Sequence, residues 1–519
     1  MRELVDNRTS WHRSLWQVGS VMLLEEVVEA TRATWAGSIT TDQALKDLCQ
    51  SATSAVPRDP GLGSDEVRHL ICDAIRSVPS KQTADGEVRL AELEQHASRA
   101  RATYLLNWRS VIDSGSLTVD EVEVAARLTA AHLLDEGFHR AHIHGWLQNT
   151  GDASLADVMD AGHEMLQSEK RSFDLLLSVR SVDQYLRPAL ESYEIPVDEF
   201  LTSFDTASKN GELYGNRPPA AAIKLSFEAR DPHSAVGLAL AWAQRVENRA
   251  EVGKGAQSIE FDNRVVDTTT RKIRTLRESA KPISLPTLGQ NPHFLTQSID
   301  SPLQARVDDA VGMLASRTLR ATPTGIATTW ASVEALLGLP RGRGVESADR
   351  LADIVACSFP RAEFWEITRR WERLGSDDFA KEIALLPSNA EKTEAMVTKI
   401  TSGYLPAFDA PKEQAALNRV RQLLDDPAAV LGRIRAYYVS TFRRLYYQRN
   451  FIMHAGKLDS VSLAATSRTA PPLVAAGLDR IVYASLTDGV DPLNLAARAA
   501  IELQLVGKNG SRSLHDLLR

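Results

Sequence analysis

Cysteine is scarce: Cys49, Cys72 and Cys357 are the three in 519 residues, far apart and with no Cys-x-x-Cys pair. A reducing compartment is therefore expected. Long apolar runs are also missing. The longest, Ala235 to Ala243, falls far short of the roughly 20 residues that a membrane span needs. The first nineteen residues are polar and charged, unlike a secretory signal. Together these absences predict a cytoplasmic protein with no membrane partner. There is no GxxxxGK[ST] or GxGxxG phosphate loop and no GxSxG elbow, which argues against an ATPase and a serine hydrolase. No fixed-period repeat and no low-complexity segment stands out. Basic excess is absent too, since 67 acidic residues outnumber 60 basic ones for a net charge of −7. That argues against coating nucleic acid over the whole surface. It leaves room for a local basic groove, because salt confines surface fields to about 10 Å at 0.1 M.

What is present reads as a mainly α chain. Hydrophobic content of 43% and charged content of 24% are those of a globular protein, and the length calls for two or three domains. Helical spacing recurs over 20–35, 41–52 and 86–112, and Thr118-Val119-Asp120-Glu121 is a capping-box signal for a helix ending near Gly137. Residues 1–137 are thus predicted to be a helical region. Residues 172–179, 219–228 and 258–266 read as strands around an apolar helix over 231–249. The segment 138–270 is therefore predicted to hold a small α/β module. Prolines 282, 286 and 292 mark 271–302 as a linker. From 303 to 519 the texture is helical again, with helices expected over 303–317, 325–338, 346–358, 362–374, 389–402, 411–425, 427–454, 472–487 and 491–506.

Three clusters could carry chemistry. His139, His142 and His144 invite a metal, but only the first pair shares a helical face and no cysteine is near. Surface histidines on a short helix are the better account, so neither a metal nor another cofactor is expected. Pro340-Arg341-Gly342-Arg343-Gly344 is a basic loop whose glycines would let it approach a phosphate. A solvated loop is its plainer reading. The third cluster ends the long helix at 427–454. No acidic residue occurs from Pro427 to Leu458, whereas Arg433, Arg435, Arg443, Arg444, Arg449 and Lys457 do. Asn450 and His454 are four apart and share a helical face, and Arg449 can sweep towards them. Histidine shuttles protons near neutral pH, and arginine offers a forked donor to phosphate oxygens. Cations also favour a helix C-terminus for purely electrostatic reasons. Spacing alone leaves the two readings even.

The run Tyr447-Gln448-Arg449-Asn450-Phe451-Ile452-Met453-His454-Ala455-Gly456, an Arg-Asn-x3-His motif ending a basic helix, resembles the HEPN superfamily and within it the Apea-like branch. The helix Trp330-Ala331-Ser332-Val333-Glu334-Ala335-Leu336-Leu337 is similar to the Trp-x3-Glu helix that opens that domain. The resemblance covers about residues 303–510. It implies a C-terminal helical bundle, and a homodimer in which two Arg/His pairs face each other across a composite active site. It also implies a metal-independent endoribonuclease that cleaves RNA by attack of the 2′-hydroxyl, of the toxin-like kind used in anti-phage defence. Arg449 and His454 would be catalytic, Asn450 would position them, and Glu334 would support Arg449. Arg433, Arg435, Arg443, Arg444 and Lys457 would bind RNA. The N-terminal half would be regulatory, answering to a phage-derived or protein activator. Nucleotidylated members carry a tyrosine two residues after the histidine. Gly456 stands there here, so that route of control is not expected. The alternatives are a non-catalytic HEPN module that binds RNA, a nucleotide or a protein, and a scaffold in which Arg449 and His454 only bridge a dimer.

Overall fold

Capping signals start many of the helices. In the computed structural model, which describes all residues except 7–8, 39–41, 116, 152, 209–213, 216, 254–257, 278–282, 291, 297–300, 316–322, 509–511 and 519, the first four are α1 (Ser20–Trp35), α2 (Asp42–Ala55), α3 (Asp65–Arg76) and α4 (Ala84–Asp113). The chain is mainly α: nineteen α-helices and one five-stranded sheet are present among the described residues. None of these helices is long and apolar enough to cross a membrane. Parts of the expected linker, Thr41, and residues 316–317 of an expected helix lie outside the described residues. Two compact units emerge, one of residues 1–7 and 105–281, the other of 8–104 and 282–519.

The first unit contains α5 (Val119–Asp135), α6 (Arg140–Asn149), α7 (Leu155–Gln167), β1 (Arg171–Val182), β2 (Glu194–Ile195), α8 (Val197–Ala207), β3 (Ala221–Ala229), α9 (Pro232–Val252), β4 (Ile259–Asp267) and β5 (Lys272–Thr275). The capping box is formed: Thr118 N–H donates to Glu121 Oε2 at 2.7 Å, and Glu121 N–H donates to Thr118 Oγ1 at 3.4 Å. The strands pair antiparallel in the order β2-β3-β1-β4-β5. Leu175 faces Leu225 on one side and Asp267 on the other, so β1 is central and hydrogen-bonded along both edges. Strand side chains alternate between faces. Leu175, Leu177 and Val179 therefore pack on Ala235, Ala239 and Ala243 of α9, and Leu176 packs with Phe200 and Phe204 of α8. The expected strand–helix–strand is β3–α9–β4. Each of its strands is antiparallel to β1, so the two run parallel with β1 between them. Sequence reading missed β2, α8 and β5. The four-residue β5 falls inside the expected linker, because so short a run carries no visible alternation.

The second unit adds α10 (Pro286–Gln290), α11 (Pro302–Ala315), α12 (Pro323–Leu337), α13 (Gly344–Leu374), α14 (Asp378–Leu385), α15 (Asn389–Thr401), α16 (Pro411–Asp425), α17 (Pro427–Ala455), α18 (Leu463–Asp488) and α19 (Pro492–Leu505) to α1–α3 and most of α4. Two expected helices, 346–358 and 362–374, are a single one. Proline normally breaks a helix by removing an N–H and clashing with the carbonyl four residues back. Pro360 is nonetheless inside α13, where Phe359, Phe364 and Ile367 are buried around it. Likewise α18 runs through Pro471 and Pro472, starting nine residues before the expected 472. Burial of both flanks overrides the local penalty in each case.

The division at 281/282 falls inside the expected linker 271–302, whereas the grouping of residues 8–104 with the C-terminal helices departs from the expected boundary at 137. Its cause is side-chain burial across some 400 residues of sequence. Trp16 is buried against Phe359 and Tyr438, with ring centroids 6.0 and 5.2 Å away. Its carbonyl accepts from Thr441 Oγ1 at 2.8 Å. Carboxylates of α1 and α2 also reach α17.

Candidate active site

Helix α17 is delimited by strong local signals. Asp426 caps its start, accepting from Ala429 N–H at 3.1 Å, and Pro427 takes the first position, where a missing N–H costs nothing. Gly456 ends it at φ +63°, a conformation glycine takes without strain, and Lys457 N–H turns back to the Phe451 carbonyl at 3.1 Å. An aromatic contact seats it on α12. Trp330 is fully buried and its ring lies 5.2 Å from that of Tyr446. One turn beyond Trp330 is Glu334, and one turn beyond Tyr446 is Arg449.

That register gathers four predicted residues. Arg449 Nη1 donates to Asn450 Oδ1 at 3.0 Å and to His454 Nε2 at 3.0 Å, while Nη2 lies 3.7 Å from Glu334 Oε2. A guanidinium has donors only. In this arrangement His454 Nε2 must therefore present its lone pair, which puts the ring proton on Nδ1. The imidazole is exposed, and the Arg449 side chain is 26% exposed. Chemically, the cluster offers a proton acceptor and an adjoining permanent cation, both open to a ligand.

The other basic residues of the helix are disposed differently. Arg444, 6% exposed, is gripped by Glu26 of α1 through Nε at 2.5 Å and Nη2 at 2.9 Å. Arg443 donates to both oxygens of Asp349 at 2.9 and 2.8 Å and lies 3.7 Å from Asp47 of α2. Arg435 pairs with Asp353, and Lys457 with Glu29 of α1. Arg433 is exposed. The acid-free flank is thus largely neutralised in space by carboxylates from elsewhere in the chain. Four of the five residues expected to bind RNA are spent on internal carboxylates, and Arg444 is too deeply buried to reach a polymer. Glu29 also accepts from Ser460 Oγ at 2.6 Å and Val461 N–H at 3.2 Å, while Gln448 donates to Ser460 and Ser462 at 2.8 and 2.9 Å. This network pins the loop that follows His454. Tyr447 donates to Asp47 at 2.9 Å, and burial together with that carboxylate holds its hydroxyl well above the ordinary tyrosine range. No spacing rule could have singled out Glu26, Glu29, Asp47, Asp349 or Asp353. A cleft of about 760 Å³ adjoins the last turn, bounded by Glu29, Arg32, Arg101, Phe451 and Lys457.

The histidines of the first unit behave otherwise. His139 caps α6, its Nδ1 accepting from Ala141 N–H at 3.1 Å, and its ring stacks on His233 at 5.5 Å. His233 Nε2 accepts from Arg274 at 3.2 Å. Burial first, then Arg274 and His139, push its pKa down to about 4. His142 stacks on Phe138, and burial lowers it as well. His144 lies 4.0 Å from Asp6. Among the described residues no three histidine, cysteine or carboxylate side chains are arranged to hold a metal ion.

Comparison of the chain with protein-family models, with curated proteins and with solved structures returned no match.

Proposed function

We propose that this chain is a metal-independent endoribonuclease of the HEPN type, acting as a toxin-like effector in anti-phage defence. One observation carries the reading: Arg449 bridges Asn450 and His454 at 3.0 Å each, on an open helix end beside Glu334. An incoming phosphodiester competes for Arg449 with a neutral imidazole nitrogen and a neutral amide. Charge-assisted bonds to phosphate are the stronger. Transfer of the guanidinium to the phosphate releases the lone pair of His454 Nε2. That nitrogen then takes the proton of the ribose 2′-hydroxyl as the 2′-oxygen attacks the adjacent phosphorus. The bond to the 5′-oxygen breaks, and the proton passes to that leaving group. The products are a 2′,3′-cyclic phosphate and a 5′-hydroxyl, with no metal or external nucleophile required. Arg449 stabilises the charge that develops on the phosphorane oxygens, and Glu334 and Asn450 hold it in line.

Two copies complete the unit of function, with the helix ends facing one another. Met453 and Leu458, each 58% exposed and flanking His454, supply an apolar rim for that contact. Incubation of the purified protein with total RNA in EDTA tests the reading. Fragments with 2′,3′-cyclic phosphate ends are expected from wild type and from neither Arg449→Ala nor His454→Ala. Undiminished cleavage by folded His454→Ala protein would sink it. Binding without cleavage by wild type would favour the non-catalytic alternative.

A further inference from the structure

With four of the five cations expected to bind RNA committed to carboxylates, a polyanion needs other contacts near Arg449. The basic loop noted in the sequence supplies them. It joins α12 to α13, spanning Gly338 to Arg343. Gly338 N–H bonds to the Glu334 carbonyl at 2.8 Å, so the loop starts one helical turn, about 6 Å, beyond the residue that faces Arg449. Its far end is fixed to the same seam. A Cβ on Gly344 would lie 2.4 Å from the Tyr446 ring, so only glycine lets α13 begin this close to the turn preceding Arg449. Arg350 holds the near end, donating to the Leu337 carbonyl at 3.0 Å. Between these anchors Gly342 N–H closes a turn onto the Leu339 carbonyl at 2.9 Å. Arg341 sits in that turn at φ +62°, where side chains of its size are uncommon. Its side chain is exposed. Arg343 is 70% exposed, with the half-buried Glu346, which Arg350 shares, beside it at 3.3 Å.

We propose that Arg341 and Arg343 form the phosphate-backbone contact of this protein, holding single-stranded RNA beside Arg449 and His454. The identity of the polymer rests on the ribonuclease reading above, whereas the placement of the contact does not. Each arginine presents a forked donor that suits phosphate oxygens without reading bases. The loop is tied down at both ends, so the two cations are held at the α12–α17 seam instead of sweeping a wide volume. Unlike Arg343, which stays largely exposed beside Glu346, Arg443 and Arg444 of α17 are drawn in against their carboxylates.

Binding of a short, fluorescent 2′-O-methyl RNA, which cannot be cleaved by 2′-hydroxyl attack, is measured by anisotropy against salt. Each phosphate contact to a single strand contributes about −0.7 to the slope of log K on log salt. The Arg341→Ala/Arg343→Ala protein is expected to have a slope shallower by about 1.4, so wild type's advantage shrinks about seven-fold between 50 and 200 mM salt. Arg341→Lys/Arg343→Lys should restore most of the slope, and Arg443→Ala should leave it unchanged, with thermal melts verifying the fold of each. An unchanged slope in the alanine pair, or no binding by wild type, overturns the proposal. Loop-dependent binding by a wild type that leaves natural RNA intact supports the contact while refuting the ribonuclease reading.

Discussion

Arg444 and Arg449 stand five residues apart on one helix and have opposite surroundings. Arg444 is enclosed, with both oxygens of Glu26 on its guanidinium. Arg449 is open, its short contacts are neutral, and its nearest carboxylate is at 3.7 Å. A buried arginine without its carboxylate would be very costly, so the first arrangement serves folding. The second leaves most of the cation's hydrogen-bonding capacity to a ligand. The lesson is that basic residues along a helix cannot be pooled into one field. What matters for each is whether a carboxylate from elsewhere has already claimed it.

The contrast can be broken most forcefully with alanine at each position. Arg449→Ala is expected to lower RNA cleavage about 1000-fold, the scale of removing one charge-stabilising donor, with a denaturation midpoint close to wild type. Arg444→Ala should instead cost about 3–5 kcal/mol of stability by stranding Glu26, read from urea unfolding. Replacing the pair together, Arg444→Met with Glu26→Leu, should recover most of it. Equal stability losses for the two alanine variants would erase the distinction.

Acid offers a second probe of the enclosed region. His12 is buried between Trp11 and Phe359, and burial pushes its pKa down to about 4, opposed by Glu363 and assisted by Arg13. An unfolded histidine titrates near 6.5. Between about pH 6.5 and 4 the unfolded chain therefore takes up a proton that the folded chain refuses, so stability falls as pH falls. The loss is on the order of 3 kcal/mol over that window. His12→Phe should flatten the stability profile there, and a profile identical to wild type would contradict the burial argument. The smallest effect is expected at the open end. Glu334→Gln keeps the shape and weakens the hold on Arg449, which should lower kcat about 10-fold, less than the roughly 100-fold that a 1 Å misplacement causes, with KM little changed.

Much of the fold was legible because the signals are local. The Thr118 capping box, the Pro427 start and the Gly456 stop each announce themselves within a few residues, and the period of β1 is plain in Leu175 to Val179. The grouping of Asn450 with His454 follows from helical spacing, and that of Glu334 with Arg449 was reached only through resemblance. Two kinds of fact were not legible. Pro360, Pro471 and Pro472 lie inside helices because burial of their neighbours outweighs a penalty that sequence rules count as decisive. The partners of Arg443, Arg444 and Lys457 lie up to 428 residues away. A flank that looks uniformly basic is, in space, almost balanced.

The Glu26–Arg444 pair has a further consequence in time. Its partners are 418 residues apart, so a ribosome working at about 5–20 residues per second delivers the second roughly 20 to 80 seconds after the first. For that interval α1 has emerged with the two carboxylates, Glu26 and Glu29, that will later be buried against α17. Neither can leave water before Arg444 and Lys457 arrive, so α1 cannot settle into its final seat early. The helix that carries His454 and the one that steadies it are obliged to assemble together, only once Arg444 and Lys457 have been made.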